Sequence, residues 1–287
     1  MQVGVVLPQT EIGADAVAIR DYGQGVEALG FGHVLAYDHV VGADPAVHEG
    51  WDRPYDIDAT FHEPLVVFGY LAAVTSLELV TGIIIAPQRQ TVLLAKQAAE
   101  VDLLSGGRLR LGLGLGWNHV EYEALGQDFG TRGRRLEEQI DLLRRLWTQR
   151  TVTFEGDFDR ITGAGLAPLP VQHPIPIWIG GQSARAYRRM GRLADGWFPQ
   201  MGPGPRLDEA RALVAEGAAA AGRDATAIGM EGRLAWTGDP DDLVAHVRRW
   251  RDAGATHLAI NTMKAGLATV DAHLTALSTA AEALALR

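Results

Sequence analysis

Residues 79–116 read LVTGIIIAPQRQTVLLAKQAAEVDLLSGGRLRLGLGLG, and the fold assignment rests on this segment. It starts with a β-branched run, Leu79–Ile85, and finishes with a second apolar run, Leu109–Leu115. Between them, Thr91–Leu104 is typical of a helix, and the pair Gly106 and Gly107 gives it a stop signal. Both runs are almost continuously apolar, as strands buried on both faces of a parallel sheet must be. The stretch therefore predicts a parallel strand–helix–strand unit.

The same alternation continues on both sides of this unit. Helical stripes such as Ile19, Tyr22 and Val26 step by three and four residues between the short apolar runs. The eight candidate strands are Val3–Leu7, His33–Tyr37, Leu79–Ile85, Leu109–Leu115, Ile175–Gly180, Gly196–Pro199, Ile228–Ala235 and His257–Asn261. Eight strand–helix units in series favour closure into a barrel. The predicted fold is α/β, a (β/α)8 TIM barrel, as a single domain over residues 1–287.

Two connections are too long for ordinary loops. The first insertion runs from Asp38 to Glu63, after the second strand. The second insertion runs from Gln149 to Pro174, after the fourth helix, and Thr151–Glu155 within it suggests a small hairpin strand. Loops that follow strands lie on the catalytic face of such a barrel, so the first insertion is expected to form a lid there. The second would reach that face only by folding back.

Composition narrows the class of protein. The chain is 47% hydrophobic and 21% charged, which allows a large core. It contains no Cys, which excludes disulfides, thiolate metal sites and cysteine nucleophiles. A net charge of −9 disfavours nucleic acid as a partner. The histidines are scattered without a metal-ligand spacing, so no metal is expected.

Targeting and membrane segments are not expected either. The N-terminal sequence MQVGVVLPQ reads as a short strand and lacks the basic region of a signal peptide. No apolar run reaches the roughly 20 residues that a membrane span needs. We therefore expect a cytoplasmic protein with no membrane partner.

Asp38 and His39 close the second candidate strand. A carboxylate beside an imidazole at a strand end can tune the protonation of that imidazole near neutral pH, which suits acid–base chemistry. The alternative is a histidine that caps a turn or packs within the loop. Position alone does not separate these two interpretations.

Two glycine-rich stretches end candidate strands. GLGLG at residues 112–116 lets a flat or phosphorylated ligand approach the backbone, although a tight barrel corner explains it equally. It is not the dinucleotide fingerprint, because that motif needs Gly where Trp117 stands. GGQS at residues 180–183 joins a strand to a helix N-terminus, which suits phosphate. The alternative there is a simple turn with Ser183 as the N-cap.

Several stretches together resemble the luciferase-like monooxygenase superfamily, and most of all its coenzyme F420-dependent oxidoreductase branch. They include GVEALGFGHVLAYDHV at 25–40, LGLGLGWNHVEYEALG at 111–126 and PIPIWIGGQSARAYRRMGRLADGW at 174–197. The matching stretches cover most of residues 1–199. The last ninety residues carry little motif and follow by fold.

The resemblance implies a place for each part of the site. The cofactor's tricyclic ring is expected over the barrel mouth, with His39 as the acid–base group and Asp38 steadying it. A non-proline cis peptide is expected between Ile83 and Ile84, behind the ring. The residues expected to contact the cofactor are Ile83, Ile84, Gly114, Gly116 and Trp117, with Gly180, Gly181 and Ser183 at its phosphate.

One position departs from the superfamily pattern. Sugar-phosphate dehydrogenases of this superfamily have a Glu after the strand-4 glycines, and here that position holds Trp117. Trp cannot donate a proton usefully, which argues against that particular reaction. Trp117 is instead expected to pack against cofactor or substrate, and Trp51 and Tyr55 are expected to form an apolar substrate wall.

Three functions follow from this resemblance. The first is hydride transfer between reduced F420 and a small organic substrate such as an imine, enone, nitro compound or alcohol. The second is an FMN-dependent monooxygenase that uses reduced flavin and O2. The third, less favoured, is a non-catalytic flavin-binding protein. A homodimer is expected by resemblance only.

Overall fold

Eight parallel strands form a closed ring in the computed structural model, which describes residues 1–286. The strands are β1 Gln2–Val6, β2 His33–Ala36, β3 Glu78–Thr81, β4 Ile84–Ile85, β5 Leu109–Gly114, β6 Val152–Glu155, β7 Arg160–Ala164, β8 Ile177–Gly180, β9 Gly196–Phe198, β10 Gly229–Ala235 and β11 His257–Asn261. The ring runs β3-β2-β1-β11-β10-β9-β8-β5, and β3 pairs with β5 to close it. The predicted (β/α)8 barrel is confirmed.

Nine helices occupy the described residues. They are α1 Ala16–Ala28, α2 Pro64–Val74, α3 Thr91–Ser105, α4 His119–Ala124, α5 Arg132–Thr148, α6 Ala184–Leu193, α7 Pro205–Ala220, α8 Pro240–Asp252 and α9 Val270–Leu284. The N-caps Asp15, Ser183 and Asp239 of α1, α6 and α8 each accept a hydrogen bond from the first turn of their helix. The short α4, in the loop after β5, was not predicted. No helix in residues 1–286 combines the length and apolar character of a membrane span.

The third strand of the barrel is interrupted, whereas the sequence predicts one continuous strand over Leu79–Ile85. It consists of β3 and β4, separated by Gly82 and Ile83. The non-proline cis peptide joins Gly82 to Ile83, so the predicted position between Ile83 and Ile84 is wrong by one residue. Glycine is required at Gly82 because a Cβ there would lie 2.2 Å from a methyl of Leu35.

The break turns the side chain of Ile83 into the barrel mouth. A Cβ on Gly114 would lie 2.6 Å from Cδ1 of Ile83, and a Cβ on Gly180 would lie 3.3 Å from its Cγ2. The adjacent Ile84 is fully buried in the core between the ring and its helices. The glycines at the ends of β5 and β8 therefore make room for Ile83 rather than lying bare beneath a ligand.

Charged side chains fill the barrel interior at the amino-terminal ends of the strands, the end away from the mouth. Arg110 of β5 is 3% exposed, binds both oxygens of Glu78 at 3.0 Å, and also contacts Glu231. His33 Nε2 lies 3.0 Å from the other oxygen of Glu231. Burial alone would raise the pKa of the Glu231 carboxyl, but His33 and Arg110 outweigh burial and hold that pKa below its usual value. The barrel floor is thus a buried network of opposite charges.

The second insertion forms the hairpin of β6 and β7 on the outside of the barrel. Its tip folds back towards the mouth end, where Thr91 at the start of α3 donates to Asp159 at 2.6 Å. The Glu138 carboxylate of α5 accepts the backbone N–H groups of Asp157 and Asp159, each at 2.7 Å. The tip is therefore fastened to the outer helices, and its described residues do not line the cavity at the mouth.

We expect Glu231→Gln to lower the free energy of unfolding by about 3 kcal/mol, because it leaves Arg110 and His33 buried without their shared anion. Urea denaturation at neutral pH measures this change. The lowered pKa of Glu231 means that its contribution is present at neutral pH, and the difference between wild type and variant should shrink below about pH 4.

Glu216→Gln is the matched control for that variant. It breaks the exposed pair with Arg188, and exposed pairs contribute little, so the unfolding midpoint should not move. Wild-type stability in Glu231→Gln would show that the buried network contributes nothing net.

We expect Gly114→Ala to destabilise the protein by about 1–3 kcal/mol, because its methyl group would overlap Ile83. The loss should largely disappear when Gly114→Ala is combined with Ile83→Ala. Gly69→Ala is the control: this glycine lies within α2, and a Cβ there would meet nothing closer than Leu104 at 4.0 Å. Unaltered stability of Gly114→Ala in urea denaturation would contradict the packing described here.

Candidate active site at the barrel mouth

A cavity of about 590 Å³ opens where the strands end. This volume is within the range of cavities that hold organic ligands. Most of the side chains and glycines that the sequence singles out line it, namely Asp38, His39, Tyr55, Ile83, Gly114, Gly116, Trp117, Gly180, Gly181 and Ser183. The structure thus brings residues from four different strand ends and the first insertion to one place.

Two of the expected residues do not line this cavity. Ile84 points away from it, as described above. Trp51 donates from Nε1 to the Tyr55 carbonyl at 3.0 Å, and its ring lies 5.9 Å from that of Trp117 and 6.1 Å from that of His119. Trp51 therefore supports Trp117 and the chain at Tyr55 instead of facing the cavity.

His39 lies in an aromatic surround. Its ring centroid is 4.8 Å from that of Phe61, 5.3 Å from that of Tyr55 and 5.4 Å from that of Trp117. The side chain is 12% exposed, and its Nδ1 lies 3.7 Å from Oε2 of Glu121. That separation is an ion-pair distance, longer than a hydrogen bond. The imidazole is held by flat apolar neighbours with one carboxylate beside it.

Glu121 is a candidate functional residue that sequence reasoning did not place. It lies in the first turn of α4, is fully buried, and accepts a hydrogen bond from Gln88 Nε2 at 3.0 Å and another from the Val40 N–H. Burial alone would raise the pKa of this carboxyl, but His39, Gln88 and Val40 together outweigh burial and lower it. Glu121 is thus an anion at neutral pH. The signal in the sequence was a Glu early in a helix that follows the glycines at residues 112–116.

Asp38 forms no hydrogen bond with His39, contrary to the expectation from the sequence. One of its oxygens binds Arg89 Nη2 at 2.8 Å, and the other accepts the Ile85 N–H at 3.0 Å. Burial raises the pKa of Asp38, and Arg89 and the Ile85 N–H offset this only in part. Arg89 also binds Glu63 at 2.7 Å. Asp38 therefore connects the end of β2 to β4 and to the chain that follows β4.

The GGQS turn at residues 180–183 leads into α6 at the cavity wall. The hydroxyl of Ser183 caps the helix through the Ala186 N–H at 3.2 Å. Arg132 of α5 lines the same cavity, with its guanidinium 3.6 Å from the Phe129 ring centroid. The Nε of Arg132 is buried and has no hydrogen-bond partner among the described residues. A helix N-terminus and an unsatisfied guanidinium donor form a donor set that fits the phosphate of a flavin or deazaflavin.

A second guanidinium, which sequence reasoning also missed, enters the cavity from β10. Arg233 donates to Tyr37 Oη at 3.2 Å and to Gln200 Oε1 at 2.6 Å. Both partners are neutral. Within residues 1–286, no three His, Asp or Glu side chains gather in an arrangement that could hold a metal.

The chain is similar in sequence to several known proteins. The model of the luciferase-like monooxygenase family matches residues 1–284. The uncharacterized protein Rv0953c of Mycobacterium tuberculosis is 33% identical over 201 residues, which is 68% of each chain. An FMNH(2)-dependent dimethylsulfone monooxygenase of Pseudomonas putida is 34% identical over 147 residues, covering 50% of this chain and 40% of that protein.

Solved structures share the fold over nearly the full length. An F420-dependent secondary alcohol dehydrogenase in complex with an F420-acetone adduct has a TM-score of 0.80 at 18% identity, covering 100% of this chain and 99% of that one. The monooxygenase RslO1 from Streptomyces bottropensis has a TM-score of 0.75 at 20% identity, covering 99% of each. At these identities the likeness shows the fold alone. The family model spans almost the whole described chain, and the protein belongs to the luciferase-like monooxygenase family.

Proposed function

We propose that this protein is an F420-dependent oxidoreductase that transfers hydride between the deazaflavin and a small imine, enone, nitro compound or alcohol. The observation that carries the proposal is His39 at the cavity wall with the buried carboxylate of Glu121 beside it. When bound, the reduced cofactor supplies the hydride, and the protein supplies binding, orientation and the proton. Hydride addition to a C=N or C=O bond needs a proton, which this pair of residues can provide.

The contacts of His39 assign a role to each of its ring nitrogens. Nδ1 faces Glu121, so a proton on Nδ1 is stabilised by that carboxylate. Nε2 is left as the atom that gives a proton to the substrate or takes one from it. Glu121 acts through His39 as a positioning residue, because its own oxygens are occupied by Gln88 and Val40.

The rest of the cavity is suited to a flat ring with a phosphate tail. Ile83 presents an apolar surface between Gly114 and Gly180, which is suited to the face of a ring system. Arg132 and the start of α6 provide donors for a phosphate. Trp117 and Tyr55 supply apolar walls that exclude water from the reacting atoms.

The second candidate function is that of an FMN-dependent monooxygenase using reduced flavin and O2. It is favoured by the 34% identity to the FMNH(2)-dependent dimethylsulfone monooxygenase of Pseudomonas putida. The same phosphate donors and the same ring site would serve FMN. A cofactor-binding experiment therefore separates the two candidates.

We expect F420 to bind at least about tenfold more tightly than FMN, a difference of about 1.4 kcal/mol, in a titration followed by ring fluorescence. Arg132→Met should weaken F420 binding by about tenfold, because it removes a charged donor from the phosphate site. Arg134→Met is the matched control, since Arg134 lies on the same helix, is 71% exposed and pairs with Asp157.

The other outcomes of this titration are informative. Tight binding of FMN alone would replace the hydride-transfer proposal with the monooxygenase. Binding of neither cofactor would refute both functions and the phosphate site together.

We expect His39→Asn to lower turnover by about 10²–10⁴-fold with cofactor affinity unchanged, because it removes a general acid–base group. Glu121→Gln should lower turnover less and move the pH–rate profile to lower pH, because the Glu121 charge stabilises the protonated imidazole. Both effects are measured by steady-state kinetics from about pH 5 to pH 9, which covers the range in which histidine side chains commonly titrate.

His119→Gln is the control for these variants, because His119 lies on the same helix as Glu121, with its ring 6.1 Å from that of Trp51, and is neither hydrogen-bonded nor ion-paired to Glu121. Unchanged turnover in His39→Asn would remove the acid–base assignment. A pH–rate profile in Glu121→Gln identical to that of wild type would leave Glu121 with a purely structural role.

A further inference from the structure

Arg233 gives the cavity a second positive charge, separate from the phosphate donors. We propose that it anchors a carboxylate on the substrate, so that the substrates of this enzyme are small carboxylic acids whose reducible group lies a short distance from the carboxylate. This inference rests on the proposed function, since it names the substrate class for that reaction.

The first argument is that Arg233 has no anionic partner. Its side chain contacts the neutral oxygens of Tyr37 and Gln200, and no carboxylate in residues 1–286 lies within 4.0 Å of its guanidinium. Asp38, the carboxylate that lines the same cavity, is already paired with Arg89. A partly buried cation is favourable only when its charge is balanced, and a bound anion would supply that balance.

The second argument is that the guanidinium is held in place. Gln200 donates from Nε2 to the Phe198 carbonyl at 3.3 Å, which turns its Oε1 towards Arg233 at 2.6 Å. The Cζ of Arg233 also lies 5.6 Å from the ring centroid of Tyr37. These contacts use two of the five N–H donors of an arginine, and the others remain for a carboxylate. A fixed planar fork of this kind suits bidentate binding of a carboxylate.

The third argument is the electrostatic surround. Lys264 brings its Nζ to 5.5 Å from the Tyr55 ring centroid, so a second cation lies close to this side of the cavity. The carboxylate nearby is that of Glu11, which accepts the Lys264 backbone N–H at 2.7 Å on one oxygen, while its other oxygen lies 3.4 Å from His273. Burial raises the pKa of Tyr55, so its hydroxyl remains a hydrogen-bond donor at neutral pH. A local excess of positive charge persists here in a chain of net charge −9.

The fourth argument separates the substrate from the cofactor. The phosphate donors lie at α6 and Arg132, whereas Arg233 rises from β10 beside Tyr37. Tyr55 is a neighbour of both groups in this cavity: its ring is 5.3 Å from that of His39, and the charge of Arg233 acts to lower the pKa of its hydroxyl against the effect of burial. A carboxylate bound at Arg233 therefore places the neighbouring carbons of the same molecule near His39.

The test uses cinnamate and its neutral isostere cinnamamide as probes, with binding to the cofactor-free protein followed by calorimetry. We expect wild type to bind cinnamate at least about tenfold more tightly than cinnamamide, because charge-assisted hydrogen bonds are worth about that factor. Arg233→Met should abolish the preference and leave F420 affinity unchanged, and Arg233→Lys should retain part of it.

Arg249→Met is the matched control, because Arg249 is exposed and contacts only the Pro203 carbonyl among the described residues. It should keep the full preference for cinnamate. Equal or absent binding of the two probes to wild type would overturn the inference, and so would a cinnamate preference that survives in Arg233→Met. Loss of F420 affinity in Arg233→Met would assign this residue to the cofactor instead.

Failure of this inference is distinguishable from failure of the proposed function. A carboxylate preference that depends on Arg233 in a protein that binds no F420 would support the anion site and refute F420 dependence. Tight F420 binding without any carboxylate preference would support the cofactor assignment and refute the substrate class.

Discussion

A ring of eight strands encloses an interior that must be filled, and the way this chain fills it determines where a ligand can bind. Charged side chains occupy the end of the interior away from the mouth, where Arg110 and Glu231 meet and both are buried. Trp178 covers them, with the guanidinium of Arg110 4.4 Å from its ring centroid. Phe198 packs on Trp178 at 5.5 Å, and Ile83 contributes to the same interior cluster nearer the mouth. Inside the ring, the described residues therefore leave space for a ligand above these layers, at the carboxyl ends of the strands.

The charges around the cavity divide into used and unused groups. The carboxylates of Asp38 and Glu121 are each satisfied by several donors from the protein. The two guanidiniums that line the cavity, Arg132 and Arg233, contact neutral oxygens. Two guanidiniums without an ionic partner thus face the cavity of a protein whose net charge is −9, and each can bind a negatively charged group of a ligand.

The barrel could be predicted from the sequence because buried parallel strands are continuous apolar runs and helix caps are local signals. The break between β3 and β4 could not be predicted, since three consecutive isoleucines suit either a strand or a kink. The pairing of Asp38 with His39 was wrong because adjacent residues of an extended chain point to opposite sides. Glu121 contacts His39 only through the tertiary fold, and α4 is too short for a periodic signal. Sequence reasoning therefore found the cavity but assigned the partner of its histidine incorrectly.

Arg89 binds both ends of the first insertion, since its guanidinium contacts Asp38 and Glu63 at the same time. The chain between these two carboxylates leaves the barrel and returns to it at the same point, the Arg89 guanidinium. His39 and Tyr55, which line the cavity, belong to the chain held between these two contacts. One guanidinium therefore fixes both ends of the segment that carries the acid–base candidate, and loss of Arg89 would release both ends at once.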